Sequence, residues 1–303
     1  MRLTQIPNTE LQVSPICLGT MTFGTPVDQA DAIKLTHYAI DHGVNLIDTA
    51  NIYEGYTRYI GSPGGVVEEI LGKALLHRRS QVVLATKVGM KIGPSSEDQG
   101  LGRKHVLGEI DRSLKRLQTD YVDIYYMHKP DPDTSVSESI EVFNEVVEAG
   151  KARYWAVSNF AAPQIAEILR ICRERNWRRP VALQPPYSLL DHKIEEDILP
   201  LCENEAIAVI PYRVLQGGLL TGKYVQGKAV PPNSRQIEKP EWTLPLSVEL
   251  FDKLEFLKLE AESKGRTLMQ HSLLELLEHP AVVSLIAGVK RTDQLSDWIT
   301  AVE

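Results

Sequence analysis

Apolar positions in this 303-residue chain follow two rhythms. Short, nearly unbroken apolar runs predict strands at Ile16–Thr20, Val44–Asp48, Val82–Lys87, Val122–Tyr126, Ala152–Val157, Val181–Gln184, Ala208–Pro211 and Val282–Ala287. Between them, apolar residues recur every three or four positions. That spacing predicts helices over Gln29–His42, Gly65–His77, Arg103–Leu117, Ser135–Ala149, Ala161–Glu174, Glu195–Asn204, Ser247–Ser263 and Thr292–Ala301, with an extra one over Leu268–Leu277. Eight strands, each followed by a helix, read as a closed parallel (β/α)8 barrel of the TIM type. The strands lack clean alternation, as expected when both faces are covered. Ahead of them, Leu3–Ile6 and Leu11–Val13, joined by Pro7-Asn8-Thr9-Glu10, predict a small hairpin closing the barrel's bottom.

Local signals agree with this phasing. Ser135 with Glu138 three residues on is a capping-box pattern, and Gly150 follows the end of that helix. The basic clusters His77-Arg78-Arg79 and Arg173 to Arg179 fall at helix C-termini, where cations oppose the negative helix end. One long irregular, proline-rich stretch, Gln226–Pro245, follows the seventh strand, where a functional loop is expected. Nothing divides the chain, so residues 1–303 read as one barrel domain.

Composition narrows the function. Hydrophobic content is 43% and charged content 24%, which fits a large core rather than a disordered chain. A net charge of -7 argues against a nucleic-acid partner. Cys17, Cys172 and Cys202 have no metal-ligand spacing, and so sparse a set suits a reducing compartment. Neither a signal peptide nor a membrane span is read, so a cytoplasmic location is expected. No sustained heptad marks an oligomer interface.

The candidate chemistry lies at strand ends. The run Val44–Asp48 ends in a carboxylate, and Tyr53 follows on the next loop. Lys87 closes the third strand and His128 follows the fourth. In a barrel these four converge at the catalytic, C-terminal face. Carbonyl reduction needs a hydride, which no side chain supplies, and a proton for the oxygen. A phenol beside an ammonium is a better acid than a free tyrosine. Tyr53 is therefore the expected proton donor, Lys87 its activator, and Asp48 the group that holds Lys87. His128 is expected to orient the carbonyl or share the proton. No Gly-x-Gly-x-x-Gly opens a helix after a strand, so the barrel itself must hold the cofactor.

Three segments carry a resemblance. Gly43 to Tyr53, Leu117 to His128 and Gly150 to Phe160 resemble motifs of the aldo-keto reductases, NADPH-dependent barrel oxidoreductases. The resemblance implies the tetrad Asp48, Tyr53, Lys87 and His128. It implies that Ser158, Asn159 and Gln184 hold the nicotinamide carboxamide and that Tyr212 stacks on the ring. It places Arg213, Leu215, Gly217 and Lys223 around the pyrophosphate, Gly19, Thr20 and Gly288 at the cofactor, and Arg235 on a phosphate. Lys290, Arg291 and Gln294 correspond to the segment around the 2′-phosphate and adenine. Two cations at that helix N-terminus favour NADP(H) over NAD(H).

The chain also departs from the family. Arg213-Val214 stands where many relatives have Ser-Pro, and Trp298 where they often have Asn. A long C-terminal tail is lacking, so an open substrate pocket is expected, walled by Met21-Thr22-Phe23, Tyr56, Lys91 and the 226–245 loop. The activity implied is reduction of a small-molecule aldehyde or ketone. The oxidative direction on a sugar or alcohol stays open. So does a regulatory NADPH-binding role of the potassium-channel β type, although those barrels carry Asn at the position of His128.

Overall fold

The structure is a computed structural model and describes residues 1–303. Its strands are β1 (Thr4–Gln5), β2 (Gln12–Val13), β3 (Ile16–Gly19), β4 (Leu46–Asp48), β5 (Val83–Val88), β6 (Val122–Met127), β7 (Ala152–Ser158), β8 (Ala182–Gln184), β9 (Ala208–Val209) and β10 (Leu285–Ala287). From β3 to β10 the eight neighbours pair in parallel, in the order β10-β3-β4-β5-β6-β7-β8-β9. The ends of this sheet meet. Val209 N–H donates to Ala281 O, Val283 N–H to Val209 O, and Ile286 N–H to Pro211 O, closing the barrel. The last predicted strand starts ahead of β10 because Val282 and Val283 make this closure before the regular pairing begins. Likewise the seventh predicted strand is cut to Ala208–Val209.

Two cores sit on opposite faces of the strands. The larger lies between strands and helices and takes Ile16, Leu18, Ile47, Leu84, Tyr125, Trp155, Val157 and Leu183. The smaller fills the barrel and takes the alternate positions, including Cys17, Leu46, Val83, Ala85, Ile124, Tyr126, Ala156, Ala182 and Ala208. Ile6, Leu11 and Val13 belong to the interior core, so the β1–β2 hairpin plugs the bottom as predicted. The period-two alternation thus survives in the packing, although both faces are apolar and the sequence hides it.

The helices are α1 (Gln29–Asp41), α2 (Val66–Ala74), α3 (Arg103–Leu117), α4 (Val136–Glu148), α5 (Ala162–Arg175), α6 (Ile198–Asn204), α7 (Arg235–Glu238), α8 (Val248–Ser263), α9 (Leu268–Leu277) and α10 (Thr292–Val302). Ser135 Oγ accepts the Glu138 N–H at 3.2 Å, but the Glu138 carboxylate accepts from Arg103 N–H instead of closing the box. Arg173 and Arg175 stand in the last turn of α5 as expected, and four arginines of the basic clusters also find carboxylates. Arg78 pairs with Asp41, Arg79 with Asp123, and Arg173 and Arg179 with Glu205, so carboxylates on neighbouring elements take the charge. The stretch read as irregular, 226–245, contains α7 and a tight turn at Pro240–Trp242. No helix is long and apolar enough to cross a membrane.

Candidate active site

The alternation that fills the barrel also builds the site. Inward positions Leu46, Ala85, Tyr126, Ala156 and Ala182 are each followed two residues later by Asp48, Lys87, His128, Ser158 and Gln184. Five polar groups therefore enter the barrel mouth at its C-terminal end. Register holds them level, with Asp48 opposite Ala85, Lys87 opposite Tyr126, and Ser158 opposite Gln184.

Lys87 is fully buried. Its Nζ donates to Asp48 Oδ1 at 2.5 Å and to Thr49 O at 2.8 Å, and reaches Tyr53 Oη at 3.4 Å. Burial alone would lower its pKa, but Asp48 and then Tyr53 reverse that, and the ammonium is held above its ordinary value. For Tyr53 the balance goes the other way. Burial raises the phenol above its usual pKa, and the Lys87 charge offsets only part of this. Lys87 itself acts in the expected direction, and burial outweighs it. Lys87 makes it stronger than the same phenol buried without a cation.

His128 lies edge-on to Tyr53, with ring centroids 6.1 Å apart. Burial, then the charges of Lys87, Lys129 and Arg58, push its pKa far below the ordinary value, so the ring is neutral near pH 7. Its buried Nδ1 has no partner in the chain. The four residues read as catalytic are therefore together, as a buried ion pair, a phenol and a neutral imidazole.

Beside them runs a hydrogen-bonded chain. Tyr212 Oη donates to Asn159 Oδ1 at 2.8 Å, Asn159 Nδ2 donates to His128 O at 2.9 Å and to Ser158 Oγ at 3.0 Å, and Ser158 Oγ donates to Gln184 O at 2.8 Å. Asn159 adopts φ 64°, which asparagine tolerates better than most residues. Gln184 Nε2 donates to Asp48 Oδ2 at 2.9 Å, which ties the end of β8 to the ion pair. Gly19 and Thr20 lie against β4. Thr20 Oγ1 donates to Asp48 O, and a side chain on Gly19 would stand 2.5 Å from Ile286.

Farther out, the cations gather. Gly217 and Gly218 both have positive φ, and their missing side chains admit Arg235 and Thr243 on one side and the Lys223 ammonium on the other. Burial, then Lys290, Arg235 and Arg291, hold the Lys223 ammonium below its ordinary pKa. Arg235 stacks on Tyr56 (4.8 Å) and Trp242 (5.5 Å). Lys290 donates to Asn233 O and pairs with Glu238, fixing α7 to the last barrel loop. Gln294 accepts the Lys290 N–H, and Arg291 pairs with Asp293. Leu215 is buried, whereas Arg213, at φ 60°, and Gly288 are exposed.

Of the segment expected to wall the pocket, Phe23 is fully buried in the core and Thr22 is buried and bonds Val289 O, which leaves Met21 as its partly exposed member. Trp298 packs from α10 into the same core, in keeping with the expected loss of an amide contact at that position. Sequence reasoning also missed Asn51, Thr49 and Arg58. Asn51 Nδ2 donates to the fully buried Glu109 at 3.0 Å and its N–H to Lys87 O, tying the Tyr53 loop to α3 and β5. Its position two residues before Tyr53 was the available signal.

Residues 15–303 match the Aldo/keto reductase family. The chain is 34% identical over 311 residues to a probable voltage-gated potassium channel subunit beta of Arabidopsis thaliana, covering 100% of this chain and 92% of that one. It is 32% identical to the aldo-keto reductase YhdN of Bacillus subtilis, covering 97% and 87%. Among solved structures it is similar to a glycerol dehydrogenase of Gluconobacter oxydans, with TM-score 0.82, 27% identity and coverage of 99% and 90%. It also resembles the holo form of an aldo-keto reductase of Bacillus halodurans, with TM-score 0.81, 28% identity and coverage of 100% and 91%. With the fold, the barrel-mouth geometry and the sequence in agreement over nearly its whole length, the chain belongs to the aldo/keto reductase family.

Proposed function

We propose that this oxidoreductase reduces an aldehyde or ketone with NADPH, and that Tyr53 gives the proton. The observation that carries the reading is Lys87, a buried ammonium between Asp48 and Tyr53 at the barrel mouth. The residues suit an anionic dinucleotide. Lys223, Arg235 and Lys290 crowd around two glycines with open backbone, and a phosphate there would relieve the repulsion felt by Lys223. When bound, the nicotinamide supplies the hydride.

The protein's own part is proton delivery and positioning. As charge grows on the carbonyl oxygen, Tyr53 transfers its proton there, and Lys87 stabilises the phenolate left behind. Asp48, braced by Gln184, keeps the ammonium aimed. The neutral His128 orients the oxygen without competing as an acid. Asn159, fixed by Tyr212 and Ser158, frames the carboxamide position.

The test is loss of reduced-nicotinamide absorbance with a panel of aldehydes, for wild type and Tyr53→Phe. Turnover that falls about 100-fold or more in Tyr53→Phe supports the reading. The similarity to potassium-channel β subunits favours a second reading, a cofactor-binding regulator. Tight NADPH binding with no consumption of any aldehyde, and no oxidation of alcohols with NADP, would select it.

A further inference from the structure

We infer that Arg58 forms an anion subsite beside the carbonyl position, so that the preferred substrates carry a carboxylate; this rests on the reductase reading. Arg58 leaves the tight turn Gly55–Thr57, five residues past Tyr53. Its guanidinium is half-buried and Nη2 donates to Lys91 O at 3.1 Å, while Nε is buried with no partner. No carboxylate lies within ion-pair distance of it, whereas the similarly half-buried Arg79 and Arg116 each have one. The acids of the adjoining loops are committed elsewhere. Glu54 accepts the Gly64 N–H and Asp98 the Ser95 N–H.

A half-buried guanidinium with one carbonyl partner and no counter-charge is only partly compensated for desolvation. Through Lys91 O it is held against the loop that follows β5, four residues past Lys87 and so at the rim of the barrel mouth, and Lys129 adds a second positive charge two residues past β6. The mouth of the pocket is therefore positive on this side, within a protein of net charge -7. The Nη1 end of the Arg58 fork carries no partner in the chain and suits a carboxylate oxygen, while Nη2 is fixed by Lys91 O. Exposed Tyr59 and Ile60 follow on the same loop and offer apolar cover to the body of such a molecule. An apolar aldehyde with a distal carboxylate meets all three features.

The experiment compares 4-carboxybenzaldehyde with its neutral counterpart, methyl 4-formylbenzoate, for wild type, Arg58→Met and Arg58→Lys. Wild type is expected to prefer the acid in kcat/KM. Arg58→Met lowers kcat/KM for the acid about 10- to 100-fold more than for the ester, chiefly through KM. Arg58→Lys, which keeps charge but not the fork, falls between. A ratio of acid to ester that is the same in wild type and Arg58→Met overturns the subsite. If wild type consumes neither aldehyde, the reductase reading fails on its own, and calorimetry with 4-carboxybenzaldehyde decides the subsite. Weaker binding to Arg58→Met then supports it, and equal binding overturns it. A thermal melt of each variant separates these outcomes from misfolding.

Discussion

Replacing Lys87 with methionine tests whether the ion pair at the barrel mouth is a coupled unit. The methionine side chain preserves most of the volume and removes the charge. Asp48 is then left 4% exposed with only the Gln184 amide at 2.9 Å, and Thr49 O loses its donor at 2.8 Å. Breaking a buried pair by deleting one partner costs about 3–5 kcal/mol, because the surviving charge stays desolvated. Neutralising that charge should return much of the loss. In Lys87→Met/Asp48→Asn the new amide oxygen still accepts from Gln184, and replacing a buried pair by neutral groups is often close to neutral. The double-mutant cycle is therefore expected to show at least about 3 kcal/mol of coupling, since the double variant recovers the cost of either single one. Urea unfolding followed by far-ultraviolet circular dichroism measures all four corners at neutral pH. That pH captures the whole pair. The folded pKa of Lys87 is raised, so its stabilisation is complete below the unfolded value of about 10.4 and is lost only as pH climbs through the folded value. A single-variant cost below about 1 kcal/mol, or two substitutions that simply add, would refute the reasoning.

Other consequences are open to measurement. Because burial holds the Tyr53 pKa above its ordinary value, the phenol stays protonated through neutral pH. Carbonyl reduction should show no Tyr53 ionisation there, while alcohol oxidation by the same protein should rise with pH on the alkaline side; parallel pH profiles would contradict this. The depressed pKa of His128 means that, below about 6.5, the unfolded chain binds a proton that the folded one does not. Stability therefore falls as pH drops from about 6.5, and a urea series for His128→Gln should show a shallower fall. Asn51→Ala removes the buried bond to Glu109 and should cost about 1.5–3 kcal/mol. In steady-state kinetics it should lower kcat with little change in NADPH affinity, whereas a loss confined to NADPH affinity would argue against a hold on the Tyr53 loop. Lys290→Met should weaken NADPH binding about 10-fold more than NADH binding, read by quenching of protein fluorescence; equal weakening would remove Lys290 from the 2′-phosphate.

What the sequence made legible was what depends on short-range rules. Strand count, nine of the ten helices and the bottom hairpin follow from apolar spacing, and Asp48, Lys87 and His128 follow from where inward positions run out into polar ones. The limits appear where a side chain has a choice of partner. Gln184 sits at a strand end like the others, but its amide reaches Asp48 across the barrel mouth, and no local pattern encodes that pairing. Phe23 was read as a pocket wall, yet a large apolar side chain takes the nearest dry space, which here is the core beneath. Arg78, Arg79, Arg173 and Arg179 sit near helix ends, but carboxylates from other elements give these four a stronger partner than a fractional dipole. Arg58 differs from the similarly half-buried Arg79 and Arg116 in finding only a carbonyl where they find acids, and that difference arises between residues brought together by the fold.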